Sequence, residues 1–481
     1  MKSKNGARVR TALSMLFLLI FVASALFLTS CGEDHVHEWG EWETYIESTC
    51  YIAGQERSLC SCGKAKYRQL PLDHDFEFKE FDLVNKLSIS ECTKCGQTLE
   101  EDLTSADIGM PVLSLTGTAE TLKVEEANVT DAIYDNEGAA WEYTATLTAR
   151  RYVTNSVYPK KDYELTLSDA VVLNDGWKEG SEYVLYANYA DYSKIRSAAA
   201  LDLYGQAVKA GRTDSMTSLP NGGAQDGFPI LLYYNGKLEG IYTLSTPLDA
   251  ESLGMEGAAN QAIIVATEFT DQTVLKAPVE GSFEEAGFDV AYSTFEGDGA
   301  LASFNAMSAF VRDNDGEQFR TGISQYVDVE RAIDHMLIMY VAGSRENVSR
   351  NIAWVTLDGV IWTPLPYEFG PSFGLSLDGT EYVPAGTLIT GYYYNVLWEK
   401  LGLYFADEIH ARWAALRGGV LSLANVGEVF ESFDSMIFDG ARDAEFAVWS
   451  KIPMKDEDYM VQIGKFTNDN FYQLDVLYGL Q

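Results

Sequence analysis

Residues 326–374, YVDVERAIDHMLIMYVAGSRENVSRNIAWVTLDGVIWTPLPYEFGPSFG, carry the reading on which the fold turns. Ile333, Leu337, Ile338 and Val341 recur at helical spacing and predict a helix with one apolar stripe. A polar loop follows, then a β-hairpin with Asp358-Gly359 at its turn, then a second polar loop. Glu346 and Glu368 fall in the two loops that flank the hairpin. Binding and catalytic groups concentrate on loops held by rigid elements, so these two acids are the first candidates for a site.

This order of motifs resembles the spore-coat protein H (CotH) kinase-like family. There a helix that begins near an Asp leads to a loop with Asn-x-Asp, an Asn opens the hairpin, and Pro-Trp-Asp-x-Asp-x-x-Phe-Gly closes it. Laid on this chain, Glu346 takes the place of the loop Asp and Asn351 is the Asn; Pro366-Tyr367-Glu368-Phe369-Gly370-Pro371-Ser372-Phe373-Gly374 is the closing motif. Both leading acids are one methylene longer than the family's, and the second acid of the closing motif is Gly370. The resemblance implies that Glu346, Asn351 and Glu368 bind a divalent cation, Mg or Mn beside ATP, and that Glu346 and Glu368 are the catalytic acids of phosphoryl transfer. Magnesium holds a tight octahedral shell, so longer arms favour a more forgiving ion such as manganese.

The likeness extends upstream. In the family a glycine-rich Gly-Arg-Gly-x-Ser loop leads into Tyr-Pro-Lys-Lys; here Arg151 matches the loop Arg and Tyr158-Pro159-Lys160-Lys161 is intact, with Arg150 and Tyr152 replacing the glycines. Large side chains obstruct the close backbone approach that a phosphate loop needs. The stretch YVLYANYADYSKIRS from Tyr183 to Ser197 also fits, and predicts a strand, a turn and a helix capped by Ser193. By this resemblance Arg151, Lys160, Lys161, Arg196 and Asn351 are the nucleotide-binding candidates, while for Arg196 a structural ion pair is an equal expectation.

Around these motifs, MPVLSLTG and WEYTATLTARRYV alternate apolar and polar residues and predict strands. TLKVEEANVTDAIYDNEGAA between them reads as irregular connection. FPILLYYNGKLEGIYTL from Phe228 to Leu244 predicts a hairpin about Asn235-Gly236, and residues 261–267 another strand. Residues 281–299, rich in Gly, Glu and Asp, read as a surface insertion, and helical patterns occupy 300–311, 329–341, 391–403 and 406–416. Strands first and helices later give an α+β fold, expected as a two-lobed kinase-like domain with a β-rich N-lobe and a helical C-lobe. His335 and His410 sit in helical patterns without a Ser or Cys nucleophile arranged with either, which argues against hydrolase chemistry.

The chain has 481 residues, and 47% hydrophobic content supports a large core. A formal net charge of −36 repels nucleic-acid phosphates and anionic lipid surfaces, so no nucleic acid is expected as partner. Lys2, Lys4, Arg8 and Arg10 precede an apolar run from Ala12 to Leu28, and Leu28-Thr29-Ser30-Cys31 resembles the lipobox of bacterial lipoproteins. Cleavage before a lipidated Cys31 would leave a charge of −40 and tether the rest to the outer face of the cell membrane by lipid.

The other cysteines, Cys50, Cys60, Cys62, Cys92 and Cys95, all precede residue 96 and cluster with His35, His37 and His74. So small a module rarely folds without a staple, and Cys92-Thr93-Lys94-Cys95-Gly96 has the spacing of a zinc knuckle. The pattern resembles a short repeat of Firmicutes surface proteins, with a second copy from His74 to Gly96 that reads as truncated. Disulfides compete in an oxidising location, although five cysteines leave one unpaired. The expected organisation is a signal peptide over 1–30, a zinc-ribbon-like module and linker over 31–104 with structural Zn, and a CotH kinase-like domain over 105–481. The expected function is ATP-dependent phosphorylation of Ser or Thr on surface or secreted proteins, with a non-catalytic pseudokinase-like scaffold for a surface protein or glycan as the alternative.

Overall fold

A computed structural model describes residues 36–122, 126–137, 139–150, 157–255, 257–390, 394–455 and 458–480. Cys31, Arg151 and the first three residues of the helix expected over 391–403 lie outside the described residues. The chain divides into two compact units, Met1–Lys79 with Ser90–Leu99, and Glu80–Ile89 with Glu100–Gln481.

Strands β1 (Glu43–Ile46), β2 (Gln55–Leu59) and β3 (Ala65–Gln69) form one three-stranded antiparallel sheet. Strands β4 (Phe76–Asp82), β5 (Leu87–Cys92) and β6 (Thr98–Asp102) form a second sheet of the same order. The end of the stretch expected as module and linker over 31–104 is therefore strand β6, and a capped helical turn, Ser105–Ile108, follows it. The acidic side chains of β6 stay exposed while its backbone pairs, which is how a charged segment serves as an edge strand.

In the larger unit β7 (Val112–Gly117), β8 (Glu126–Asn136), β9 (Ala139–Ala149), β10 (Tyr163–Val171), β11 (Gly180–Tyr186), β12 (Gly227–Tyr234) and β13 (Lys237–Ser245) close a barrel. Its order is β10-β11-β13-β12-β7-β8-β9. Tyr163, Leu165 and Leu167 point inward between exposed Glu164 and Thr166, the period of two that a barrel wall requires. The segment expected as irregular supplies β8, because Ala127, Val129 and Tyr134 fill the interior while its polar residues face out. The Asn235-Gly236 hairpin forms as expected, with both residues at positive φ (49° and 73°), the backbone of a tight two-residue turn.

A four-stranded antiparallel sheet follows in the order β15-β14-β16-β17, built from β14 (Ala262–Ala266), β15 (Phe288–Ser293), β16 (Ile352–Thr356) and β17 (Thr363–Pro366). Residues 281–299 thus contribute an edge strand and are not merely an insertion; their glycines and acids flank a segment whose Phe288 anchors in the core. Helices α1 (Arg196–Lys209), α2 (Gly299–Asp313), α3 (Val329–Ala342), α4 (Val396–Tyr404), α5 (Ala406–Arg417), α6 (Leu423–Ser435), α7 (Ala441–Val448) and α8 (Tyr459–Leu477) complete the mixed α+β architecture.

Helix α3 buries Ile333, Leu337, Ile338 and Val341 as the periodicity predicts, but also Arg331, Asp334 and His335. Those charges are paired: Arg331 with Asp214 at 2.6 Å, Asp334 with Arg212 at 2.8 Å and with Arg412 at 2.7 Å. Gly343 at φ 62° ends the helix and turns the chain toward Glu346. No helix among the described residues is long and apolar enough to cross a membrane.

Candidate functional site

The loops on either side of the β16–β17 hairpin are stitched together by one buried amide. Asn347 Nδ2 donates to Asn351 O at 3.1 Å and to Glu368 O at 2.9 Å, while Ser344 Oγ donates to Asn347 Oδ1 at 2.6 Å. His335 supports the same loop, its Nε2 lying 3.2 Å from Asn347 O and its ring stacked on Trp398. Burial holds the His335 imidazole down to about 4, so it is neutral. Asn351 is a backbone corner at φ 53°, its N–H donating to Ala266 O and its C=O accepting from Tyr367. It is not among the residues lining the cleft described next.

Glu346 and Glu368 face a common cleft of about 220 Å³, together with Tyr158, Lys160, Asp162, Asp191, Arg350 and Gly370. Gly370 sits at φ 50°, and a β-carbon there would lie 2.7 Å from Glu346 Oε2. Glu346 Oε2 therefore fills the space in front of Gly370. Glu346 is ion-paired with Arg350, whose guanidinium also rests 5.0 Å from the centre of the Phe269 ring.

Loss of solvent pushes the Glu368 carboxyl up to about 7, the nearby Asp162 charge adding to this and Arg150 and Arg350 pulling the other way. Asp162, which the motifs did not single out, lines the cleft and accepts from Ala187 N–H at 2.6 Å. Arg150, an obstruction in the sequence reading, lies buried against the rings of Tyr186 and Tyr367, 5.0 Å from each centre, and is hydrogen-bonded to the Tyr367 hydroxyl. It supplies positive charge toward Glu368.

Lys160 lines the cleft, but its ammonium donates to Ile241 O at 2.6 Å, Glu445 Oε1 at 2.8 Å and Ala187 O at 3.1 Å. Burial holds it down to about 8, against the pull of Glu445. Glu445, from α7, also accepts from Ile241 N–H at 2.9 Å and lies 3.0 Å from Lys194. Lys161 donates to Tyr158 O at 3.0 Å and is not among the lining residues.

Arg196 is fully buried and structural: it pairs with Asp191 at 3.2 Å and donates to Phe373 O at 3.0 Å and to Gln462 at 2.8 Å. The cap expected from Ser193 comes instead from Asp191, whose carboxylate accepts from the backbone N–H of Ser193 and of Arg196. An ionised carboxylate is the stronger acceptor at a helix N-terminus.

In the smaller unit the cysteines and histidines separate into two groups. Cys50, His74, Cys92 and Cys95 form one, and His37, Cys60 and Cys62 the other, with the ligand atoms of each group within 4.8 Å of one another. None of the five cysteines is in a disulfide.

Residues 153–469 match the family model described as CotH kinase protein. No curated protein matches the chain.

Proposed function

The chain belongs to the CotH kinase protein family, and on that premise we propose that its larger unit is an atypical kinase-like domain that transfers phosphoryl groups from ATP to Ser or Thr hydroxyls of surface or secreted proteins. The observation that carries this reading is the convergence of Glu346, Glu368 and Asp162 on one cleft whose wall includes Lys160. Carboxylates are the hard oxygen donors that Mg or Mn takes, so the donor set fits a divalent cation held by Glu346 and Glu368 with Asp162 beside them. Bound ATP with its cation supplies the transferable phosphoryl group and neutralises the charge that develops on it.

The protein's own part is to position these acids through Asn347 and to adjust their charge. The Glu368 carboxyl, poised near 7, exchanges a proton around neutrality and is driven to its ionised form by any cation that enters. The cleft lies below the roughly 300–1,000 Å³ of cavities that enclose whole ligands, so it suits a phosphate group and its ion while the rest of a nucleotide lies outside. The barrel is the β-rich lobe in this reading and α2 to α8 the helical one. Lipid on Cys31 tethers the protein to the outer face of the membrane, in reach of surface proteins.

A second reading, a non-catalytic scaffold for a surface protein or glycan, is favoured by two features: Lys160 has already donated all three protons, and Arg350 is seated on Glu346. Labelled ATP with manganese and a Ser/Thr-rich acceptor such as casein separates the two. Transfer that disappears in Glu346→Gln supports the kinase, and nucleotide binding without transfer supports the scaffold.

A further inference from the structure

The smaller unit has almost no hydrocarbon core. Among its described residues the buried hydrophobic side chains are Cys50, Cys60 and Cys92. A unit whose described residues bury sulfur in place of aliphatic or aromatic groups lacks the apolar area needed to hold itself together. The stabilising element has to be what the sulfurs bind.

The two repeats show how that binding is shared. Each places a His two residues before an aromatic ring on which it rests, His37 on Trp39 and His74 on Phe76, with centroids 5.1 and 5.0 Å apart. Each also ends its second strand in a pair of cysteines on a turn closed by a glycine at positive φ, Gly63 (85°) and Gly96 (75°). Cys50 has no counterpart in the second repeat, where residues 83–86 turn tightly between β4 and β5. It leaves its own repeat and joins His74, Cys92 and Cys95 of the other.

Two of the spacings match the edges of a coordination shell. Cys50 Sγ lies 3.8 Å from Cys92 Sγ and Cys95 Sγ 3.5 Å from His74 Nδ1. Zinc with bonds of about 2.3 Å to sulfur and about 2.0–2.1 Å to nitrogen gives tetrahedral edges of roughly 3.5–3.8 Å. A disulfide would need about 2.05 Å. Asp75 N–H points to Cys92 Sγ at 3.4 Å, the outer-shell donor that supports a metal-bound thiolate.

We propose that Cys50, His74, Cys92 and Cys95 form a closed structural zinc site in which Cys50, supplied by the first repeat, fastens it to the second. Binding releases the thiol protons to solvent and ties the first repeat to His74, Cys92 and Cys95 of the second. Among the described residues, His37, Cys60 and Cys62 form a second group of three ligands, one of them the exposed Cys62, which makes it the more open and weaker of the two sites.

Elemental analysis of the purified, full-length chain tests this together with zinc-edge X-ray absorption. About two zinc ions per chain are expected, one of them removed readily by chelator, which is the order that a closed and an open site require. Cys62→Ser should leave about one ion, with a shell of three sulfurs and one nitrogen. Cys50→Ser should lose the tightly held ion and keep the labile one. Should Cys50→Ser fail to fold, the shell measured in Cys62→Ser still decides. A shell other than three sulfurs and one nitrogen, full zinc retention in Cys50→Ser, or a zinc-free chain carrying a Cys50–Cys92 disulfide in the non-reduced mass would overturn the proposal.

Discussion

Glu346 Oε2 occupies the space into which a side chain at Gly370 would grow, 2.7 Å from the position of its β-carbon. The long acid at 346 and the glycine at 370 thus fit each other in one arrangement. Gly370→Asp by itself forces the new side chain against Glu346 at a backbone φ of 50° that favours glycine, and should cost about 1–3 kcal/mol. Combined with Glu346→Ala the cost should fall by more than about 0.5 kcal/mol. Urea unfolding of the four proteins of this cycle measures the coupling, and simple additivity would contradict the arrangement.

Arg350 holds Glu346 by charge, in a cleft that also contains Glu368 and Asp162. Arg350→Gln leaves three acids with less compensation, so stability should drop by roughly 1–3 kcal/mol. Manganese should restore more of the melting temperature in this variant than it adds to the parent protein, since the cation no longer competes with a guanidinium. Melting curves with and without manganese chloride compare the two.

The Glu368 carboxyl is raised from 4.5 to about 7, so the folded state binds a proton that the unfolded chain has already lost between those values. Its ionisation cost is fully present above pH 7 and is relieved as pH falls toward 4.5. Glu368→Gln cannot ionise and should be more stable than the parent at pH 8, by on the order of 1–3 kcal/mol, with the difference vanishing near pH 4.5. Unfolding free energies across this range provide the check; a parallel offset at all pH values would show that the side chain acts by shape alone.

The Lys160–Glu445 pair is buried and ties the barrel to α7. Lys160→Met strands part of the Glu445 charge and should cost about 3 kcal/mol, toward the low end for a broken buried pair because Lys194 and the Ile241 N–H still serve it. Lys160→Met with Glu445→Gln should recover part of that loss in chemical denaturation.

What was legible in the sequence was local. Asn235-Gly236 and Asp358-Gly359 mark their hairpins because those turns demand particular backbone angles, and the apolar spacing of α3 marks its buried stripe. Residues 126–136 and 288–293 escaped notice because their strands are half polar, and only pairing with distant partners makes them strands. The site followed the same division. Glu346 and Glu368 could be named from their loops, whereas Asp162, Arg150 and the Asn347 stitch act through contacts that no spacing reveals. Besides its neighbour Asp191, Arg196 is committed to partners 176 or more residues away, so its motif position says little about its role. The cysteines were visible as one set; the crossing of Cys50 into the second repeat is a matter of topology.

Calorimetric titration of the purified chain with ATP, in the presence of magnesium or manganese and beside the Glu368→Gln variant, asks whether the cleft is a nucleotide site. Binding should require the cation and be lost in the variant. No heat of binding at millimolar ATP with either cation would contradict a nucleotide site and leave the family's fold in use as a scaffold.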